Sequence, residues 1–397
     1  MGTSDGTVVG ATKVVDHGAD ADRWNLVVVG DGYRSDQQAD FESAVTSLTS
    51  TLQGIAPFDA AWERINVHRL DVHSDETGAD NPATCADGSS PAGAATSART
   101  YFDASFCNNG IRRLLVVDAA LVVTTVNAEV PEWDGILVVV NHTEYGGSGG
   151  TVAVYSTAPS AVDIAIHEMG HSAFGLADEY EYYAGCNSGE TDRNNHPATE
   201  PSEPNVTIVS DRATLKWRHL VDSATDVPTT ENGDCTRCDT QANPASATTI
   251  GLFEGAHYYH CDAYRPAFDC RMRTMGQALF CAVCQEAIKK KIGAVAKPAC
   301  FVASAVYGDP FHRDVVLLRR WRDRVIARGG AGGTAMRLAA GTYARLGPRA
   351  AQYAATHPRV GRALRRRALV PLVAALRRRT GDLPPVAVTA QRSGEKS

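Results

Sequence analysis

The strongest constraint on the fold is an alternation, across the first 160 residues, between short β-branched runs and longer stretches with helical spacing. Asn25–Gly30 reads NLVVVG, an apolar run closed by glycine, which predicts a buried strand. Ser35–Leu52 opens on a serine suited to a cap and places Phe41, Ala44, Val45, Leu48 and Leu52 at helical intervals. Ile65–Val72 alternates as a second strand. Leu114–Val117 and Ile136–Val140 are two further β-branched runs, and Val152–Tyr155 suits an edge strand. The longer stretch Leu114–Val126, broken by Asp118 and two threonines, also reads as strand material rather than a membrane span. Strands separated by helices call for an α/β domain, not a sandwich.

Loops rich in Gly, Ser, Asp and Asn lie between these elements, notably Ser74–Ser97 and Asn141–Gly150. From Ala184 to Ala247 the text is polar and rich in Pro, Asn and Thr. That is too long for a plain connector and predicts an insertion or the lining of a site. With 397 residues, 44% hydrophobic and 21% charged, the chain has room for two or three domains and is excluded from disordered, collagen-like and coiled-coil classes. No run approaches the roughly 18 uninterrupted apolar residues of a membrane span. The opening MGTSDGTVVG shows neither a basic and apolar leader nor, with Gly6 at the sixth position, a myristoylation pattern. A cytoplasmic chain or one whose leader has been removed is expected on that ground.

The motif with the most chemistry is His167-Glu168-Met169-Gly170-His171, preceded by the apolar segment 161–166 and by Ser160 as a candidate cap. Two histidines four apart share a helix face and can reach one ion, and Glu168 then stands beside the water such an ion activates. Zinc needs a third protein ligand and an open fourth position. Gly175 is placed to end the helix in a left-handed turn and bring the chain back. The metzincin pattern puts the third ligand ten residues beyond the first histidine. Here that position is Ala177, which cannot ligate; Asp178 follows one residue later, with Glu179 as the alternative.

The segment HEMGHSAFGLADEY resembles the signature of the bacterial IgA-peptidase family of zinc metallopeptidases. Also similar are VVVGDGYRSD (28–36 and its lead-in), PFDAAWERINVHRLDVHSDETGAD (57–80), NHTEYGGSGG (141–150), GLFEGAHYY (251–259) and YRPAFDCRMR (264–273). The resemblance spans about residues 20–290. It implies a zincin-like α/β metallopeptidase domain, a mixed twisted sheet with an active-site helix. It also implies His167, His171 and Asp178 on one zinc ion, Glu168 as general base, and a protein or peptide substrate. Family members are typically exported; immunoglobulin cleavage is not implied for this chain. The oxyanion of amide hydrolysis needs a further donor, for which Tyr264, Arg265, Tyr145 and His257 are candidates. Met272 is a candidate for the methionine that floors the zinc site in metzincins, or a plain core residue. A reading from a different class is a zincin-derived scaffold acting through its tail.

Ten cysteines allow several arrangements. Cys85 and Cys107 bracket one loop and can pair. Cys235-x-x-Cys238 and Cys281-x-x-Cys284 suit disulfides, a joint four-cysteine zinc site, or free thiols. Gly30-Asp31-Gly32 lacks the third glycine of a phosphate turn and reads as a tight strand end. Residues 74–80 (SDETGAD) carry enough carboxylates for calcium but not EF-hand spacing, which favours a solvated loop.

The net charge of −6 averages two unlike regions: residues 301–397 hold 19 Lys/Arg against 5 Asp/Glu, a net of +14, leaving −20 on the first 300. Cys300–Gly308 (CFVASAVYG) with Val315–Ile326 resembles the CFI-box C-terminal domain, over about residues 299–380. Val316, Leu317, Trp321 and Val325 fall near one helical face with arginines elsewhere, and Pro371 interrupts the apolar run Ala368–Leu376. A small helical bundle docked on the acidic domain, or helices meeting an anionic membrane, are the readings; nucleic-acid binding lacks a fold or aromatic interleaving to support it. The expected organisation is a catalytic domain over 1–298 (α/β part 20–160, active-site helix 160–175, loop-rich region 184–290), a basic helical appendage over 299–380, and a disordered tail over 381–397.

Overall fold

The computed structural model describes residues 4–183, 185–186, 193–276, 279–295 and 301–307, individual positions between 312 and 354, and 356–380. Cys300, Val316 and the tail 381–397 lie outside the described residues. The chain divides into two compact units. The first comprises 1–14, 24–59 and 65–291; the second comprises 15–23, 60–64 and 292–397.

The first unit is a mixed α/β domain around a six-stranded sheet of order β1-β3-β2-β4-β6-β5. β2 (Trp24–Asp31) runs parallel to β3 (Ile65–Ser74) and to β4 (Gly135–Val140), and β4 runs parallel to β6 (Ala153–Ser156). Every residue of β2 and β4 is buried, as in parallel strands covered on both faces. That explains why their text is a continuous Val/Leu/Ile run instead of an alternation. Val152–Tyr155 was expected at an edge, but β6 is internal: β5 (Gly147–Ser148), antiparallel to it, takes that edge. At the other edge lies β1 (Gly6–Val15), whose half-exposed alternation and central Gly10 gave no apolar run to detect.

Two helices differ from expectation. Ser35–Gln37 forms a 3-10 turn with Arg34 at the cap position, and α1 (Gln38–Gly54) follows, burying Phe41, Val45, Leu48 and Leu52. A single turn of helix, α2, covers Phe58–Ala61. The larger correction falls on Leu114–Val126. Leu114 and Val116 make only isolated bridges, to Gly147 and Ser105, and Ala119–Glu129 is helix α3. The Asp118 carboxylate accepts the Leu121 N–H at 2.9 Å as a helix cap, and Val122, Thr125 and Val126 face the core one turn apart. Tertiary burial at helical intervals here overrides the β-branched propensity.

The helix carrying the motif, α4 (Ala161–Ser172), packs on β4, β5 and β6. Ser160 stands at its N-cap position in left-handed backbone (φ 68°) and makes no side-chain cap. Gly175 (φ 66°) closes the other end, its N–H donating to the His171 carbonyl at 3.0 Å in the left-handed cap that glycine favours. Trp24 and Phe174 stack at 5.2 Å, and Phe58 joins Phe174 at 5.8 Å, fixing the chain just before that turn.

Beyond Phe174 the described chain has little regular structure until α5 (Ala282–Val295), apart from the hairpin β7 (Phe253–Ala256) and β8 (Tyr259–Arg265). Disulfides Cys186–Cys238 and Cys235–Cys261 tie this region together, and Cys85–Cys107 ties the earlier loop. The four-cysteine site that would join Cys235 and Cys238 to Cys281 and Cys284 is thereby ruled out. Asp75 and Glu76 face Arg99, Glu76 and Asp80 also accept the backbone N–H groups of Arg99 and Ala98, and these carboxylates do not converge on a calcium position.

In the second unit, Ala303, Val315, Leu317, Leu318, Val373 and Leu376 form a small apolar cluster with Tyr307, Trp321 and Leu369 against it. It is built from α6 (Phe301–Tyr307), Val315, Leu317, Leu318 and Trp321, and a helix that runs as α7 (Pro358–Leu364), a π-helical turn Arg365–Leu369, and α8 (Val370–Thr380). Pro371 therefore does not interrupt the helix: it is the second residue of α8, next to a widened turn that accommodates a residue lacking an N–H. Arg377 pairs with Asp314 at 2.7 Å within this unit.

Candidate active site

Helical spacing puts His167 and His171 one turn apart, and their Nε2 atoms lie 3.2 Å from each other. Both are 3.1 Å from Asp178 Oδ1, which the turn at Gly175 brings back over the helix. The imidazole tautomers follow from what the other ring nitrogens touch. His167 Nδ1 meets the Arg271 carbonyl at 2.9 Å and His171 Nδ1 meets that of Leu176 at 2.7 Å, so each Nδ1–H donates and each Nε2 is the nitrogen left to face an ion. Two imidazole nitrogens and a carboxylate oxygen thus converge in a largely buried space, and among the described residues Oδ1 receives no well-aligned hydrogen bond. Burial lowers the His171 pKa, yet the adjacent Asp178 outweighs this and raises it to about 9. Burial likewise pushes the Asp178 carboxyl up, and the two imidazoles more than reverse that, holding it far below the usual range. The local field favours positive charge.

This arrangement suits a small cation. Ligands on a tetrahedral ion bound at roughly 2.0–2.1 Å stand about 3.3 Å from one another, close to the separations here. The donor set of two neutral imidazoles and one carboxylate is one zinc accepts. Glu179, the alternative third ligand, is turned away: its carboxylate meets Asn205 Nδ2 at 2.9 Å and Cys284 Sγ at 3.1 Å.

Glu168 follows His167 on α4 and is raised in pKa by burial, against the pull of both histidines. The loop before β6 crosses against it. A Cβ on Gly149 would sit 2.3 Å from Glu168 Oε2, so only glycine permits this approach. Met272 fills the space beneath the motif, with its Sδ 2.6 Å from where a Cβ on Gly170 would lie. It is fully buried, and its carbonyl accepts the Glu179 N–H at 2.8 Å.

The four oxyanion candidates part company. Tyr264 is packed among Leu215, Trp217, Leu252 and Val283. Arg265 is buried and donates to the carbonyls of Glu254, Gly255 and Phe268, stapling its hairpin. His257 lies in the β7–β8 turn, its N–H donating to the Asp178 carbonyl at 3.1 Å and its ring meeting His196 at 2.9 Å. Tyr145 is exposed and within electrostatic reach of Glu168.

Sequence reasoning missed Tyr258 and Gly149. Tyr258 donates its hydroxyl to Asp178 Oδ2, while its N–H donates to the Tyr180 carbonyl at 2.9 Å. His257 and Tyr258 both hold left-handed backbone (φ 55° and 71°), a two-residue turn normally given to Asn or Gly. The one available signal was the paired tyrosine in GLFEGAHYY, and no spacing rule links it to a helix 90 residues upstream.

No curated protein matches the chain. The family described as IgA Peptidase M64 matches residues 12–243 and 239–292, which takes in the sheet from β2 onward, α4, the returning Asp178 and the β7–β8 hairpin. Residues 299–380 lie beyond that match, and their likeness to the CFI-box module rests on their own text. With most of its length covered, the chain belongs to the IgA peptidase M64 family of peptidases.

Proposed function

We propose that this chain is a zinc-dependent endopeptidase in which a zincin-like first unit holds one zinc ion on His167, His171 and Asp178, with Glu168 as general base. The supporting observation is the convergence of two imidazole nitrogens and one carboxylate oxygen within 3.2 Å of one another beside the half-buried Glu168. Bound there, zinc supplies Lewis acidity that makes water more acidic and an amide carbonyl more electrophilic. Glu168 takes the proton of the attacking water and later delivers it to the departing amine nitrogen, so the carboxylate ends each cycle as it began. Arg271 and Leu176 keep the imidazoles in the ligating tautomer through their carbonyls. Tyr258 holds the second oxygen of Asp178. Of the four oxyanion candidates, Tyr145 is the exposed one within electrostatic reach of Glu168. Three disulfides suit an oxidising compartment, in keeping with an exported protein.

The test pairs metal analysis with hydrolysis of a mixed peptide library. Glu168→Ala is expected to retain zinc and lose activity by about 10²- to 10⁴-fold, the usual contribution of a general base. Asp178→Ala is expected to release the ion, and Glu179→Ala to leave it on the histidines. A wild-type chain that binds zinc and cleaves nothing would favour the scaffold reading.

A further inference from the structure

Cys270, Cys281 and Cys284 are free thiols among the described residues, beside three formed disulfides, and they are neighbours. Their sulfurs and one oxygen of Glu179 all lie within 4.8 Å of one another. Cys270 Sγ stands 3.9 Å from Cys284 Sγ, and Cys284 Sγ stands 3.1 Å from Glu179 Oε1. Glu179 and Cys284 are completely buried and Cys270 nearly so. Asn205 and Cys284 serve Oε1 of Glu179, while Oε2 has no hydrogen-bond partner among the described residues. A buried carboxylate oxygen with no donor is costly unless a positive charge stands nearby.

Disulfide chemistry does not explain this group. A bond requires sulfurs about 2.05 Å apart, three thiols cannot all pair, and a carboxylate would have no part in it. The spacing instead matches sulfurs sharing a tetrahedral ion, which at about 2.3 Å per bond stand roughly 3.8 Å apart. Cys281 immediately precedes α5 and Cys284 lies in its first turn, so the positive end of that helix offsets the charge of two thiolates. In an oxidising compartment, three adjacent thiols survive best when an ion holds them.

We propose that Glu179, Cys270, Cys281 and Cys284 form a second, structural zinc site. Four protein donors close the coordination sphere and leave no position for water, which separates this centre from the catalytic one. Thiolate donors select zinc over calcium or magnesium. The thiols give up their protons to solvent as the metal enters. Its position has a consequence for the first site. Glu179 directly follows Asp178, and Cys270 directly precedes Arg271, whose carbonyl orients His167. The second ion would clamp together the two chain segments that hold the catalytic ligands.

The experiment uses the full chain loaded with cobalt(II) in place of zinc. Two metal equivalents per chain and a near-ultraviolet thiolate-to-cobalt absorption are expected, because the His–His–Asp site contains no sulfur. His171→Ala should drop one equivalent and keep the absorption; Cys281→Ser combined with Cys284→Ser should drop the other equivalent and abolish it. Should that double variant fail to fold, the wild type decides by thiol labelling, which is expected to speed up after chelation. Cobalt-loaded wild type without the thiolate absorption overturns the proposal. So does a disulfide among these cysteines by mass, or labelling indifferent to chelation. None of these outcomes bears on the His–His–Asp reading, whose failure would appear as a single metal equivalent with the absorption intact.

Discussion

Gly149 and Glu168 illustrate how much depends on single atoms. The glycine lies within the family-like segment NHTEYGGSGG, which does not single it out, yet a methyl group at that position would collide with the carboxylate oxygen. Gly149→Ala is therefore expected to displace Glu168 and lower kcat by about 10²-fold, the lower end of what a general base contributes, while metal content stays at the wild-type value. Metal analysis beside steady-state kinetics checks both halves, and an active alanine variant would refute the placement. Tyr258 acts one step further out. Removing its hydroxyl with Tyr258→Phe takes away the donor that Tyr258 gives Asp178 Oδ2 and is expected to weaken zinc affinity about 10-fold, measured by competition with a chelator. Neither residue was legible beforehand, because each acts through a contact made across the fold.

Among the elements, the end of β2 shows how the sheet is joined to its loops. The Asp31 carboxylate is fully buried and accepts from the hydroxyls of Ser74 and Thr100 and the N–H groups of Phe102 and Ala104. Burial raises its pKa to about 6 despite these four donors. The folded value lies above the unfolded one of 3.8, so the folded state binds this proton more tightly. The stabilisation this gives is complete below pH 3.8 and is lost as pH rises through 6. Its size is about 3 kcal/mol. Asp31→Asn, which cannot titrate, is expected to gain stability relative to wild type by about that amount between pH 4 and pH 7, read from chemical denaturation at each pH. Parallel curves for the two proteins would contradict it. The tight turn expected from Gly30-Asp31-Gly32 is thus also an anchor for residues 100–104. At α3 the lesson is reversed, since a β-branched text became helix once Asp118 capped it and the core claimed one face.

For the whole molecule, the two proposed metal centres differ in exposure. The first has three protein ligands, and the side chain of His171 retains 21% of its accessible surface, whereas the second has four protein donors, of which only Cys281 is partly exposed. Gradual chelation is expected to abolish peptidase activity before it lowers Tm, with activity restored by added zinc. Simultaneous loss of both would place the two ions at one level of accessibility. Calorimetry and activity followed along the same chelator series separate these outcomes.

The sequence by itself determined the buried strands of an α/β core, through the uninterrupted apolar text of β2 and β4, and the pair of histidines, through a four-residue spacing that any helix converts into one face. It also isolated the basic segment after residue 300, whose composition differs from everything before it. Those properties are local or compositional, and short-range geometry carries them. Only the tertiary structure decided that Asp178 and not Glu179 meets the histidines, since the choice turns on which way the chain faces after Gly175. It alone decided that Tyr258 reaches Asp178 and that Gly149 lies against Glu168, that Cys235 and Cys238 take separate disulfide partners, and that Cys270 joins Cys281 and Cys284. Each of these requires segments tens of residues apart to be packed together, and side-chain patterns along the chain do not encode which distant neighbours will meet.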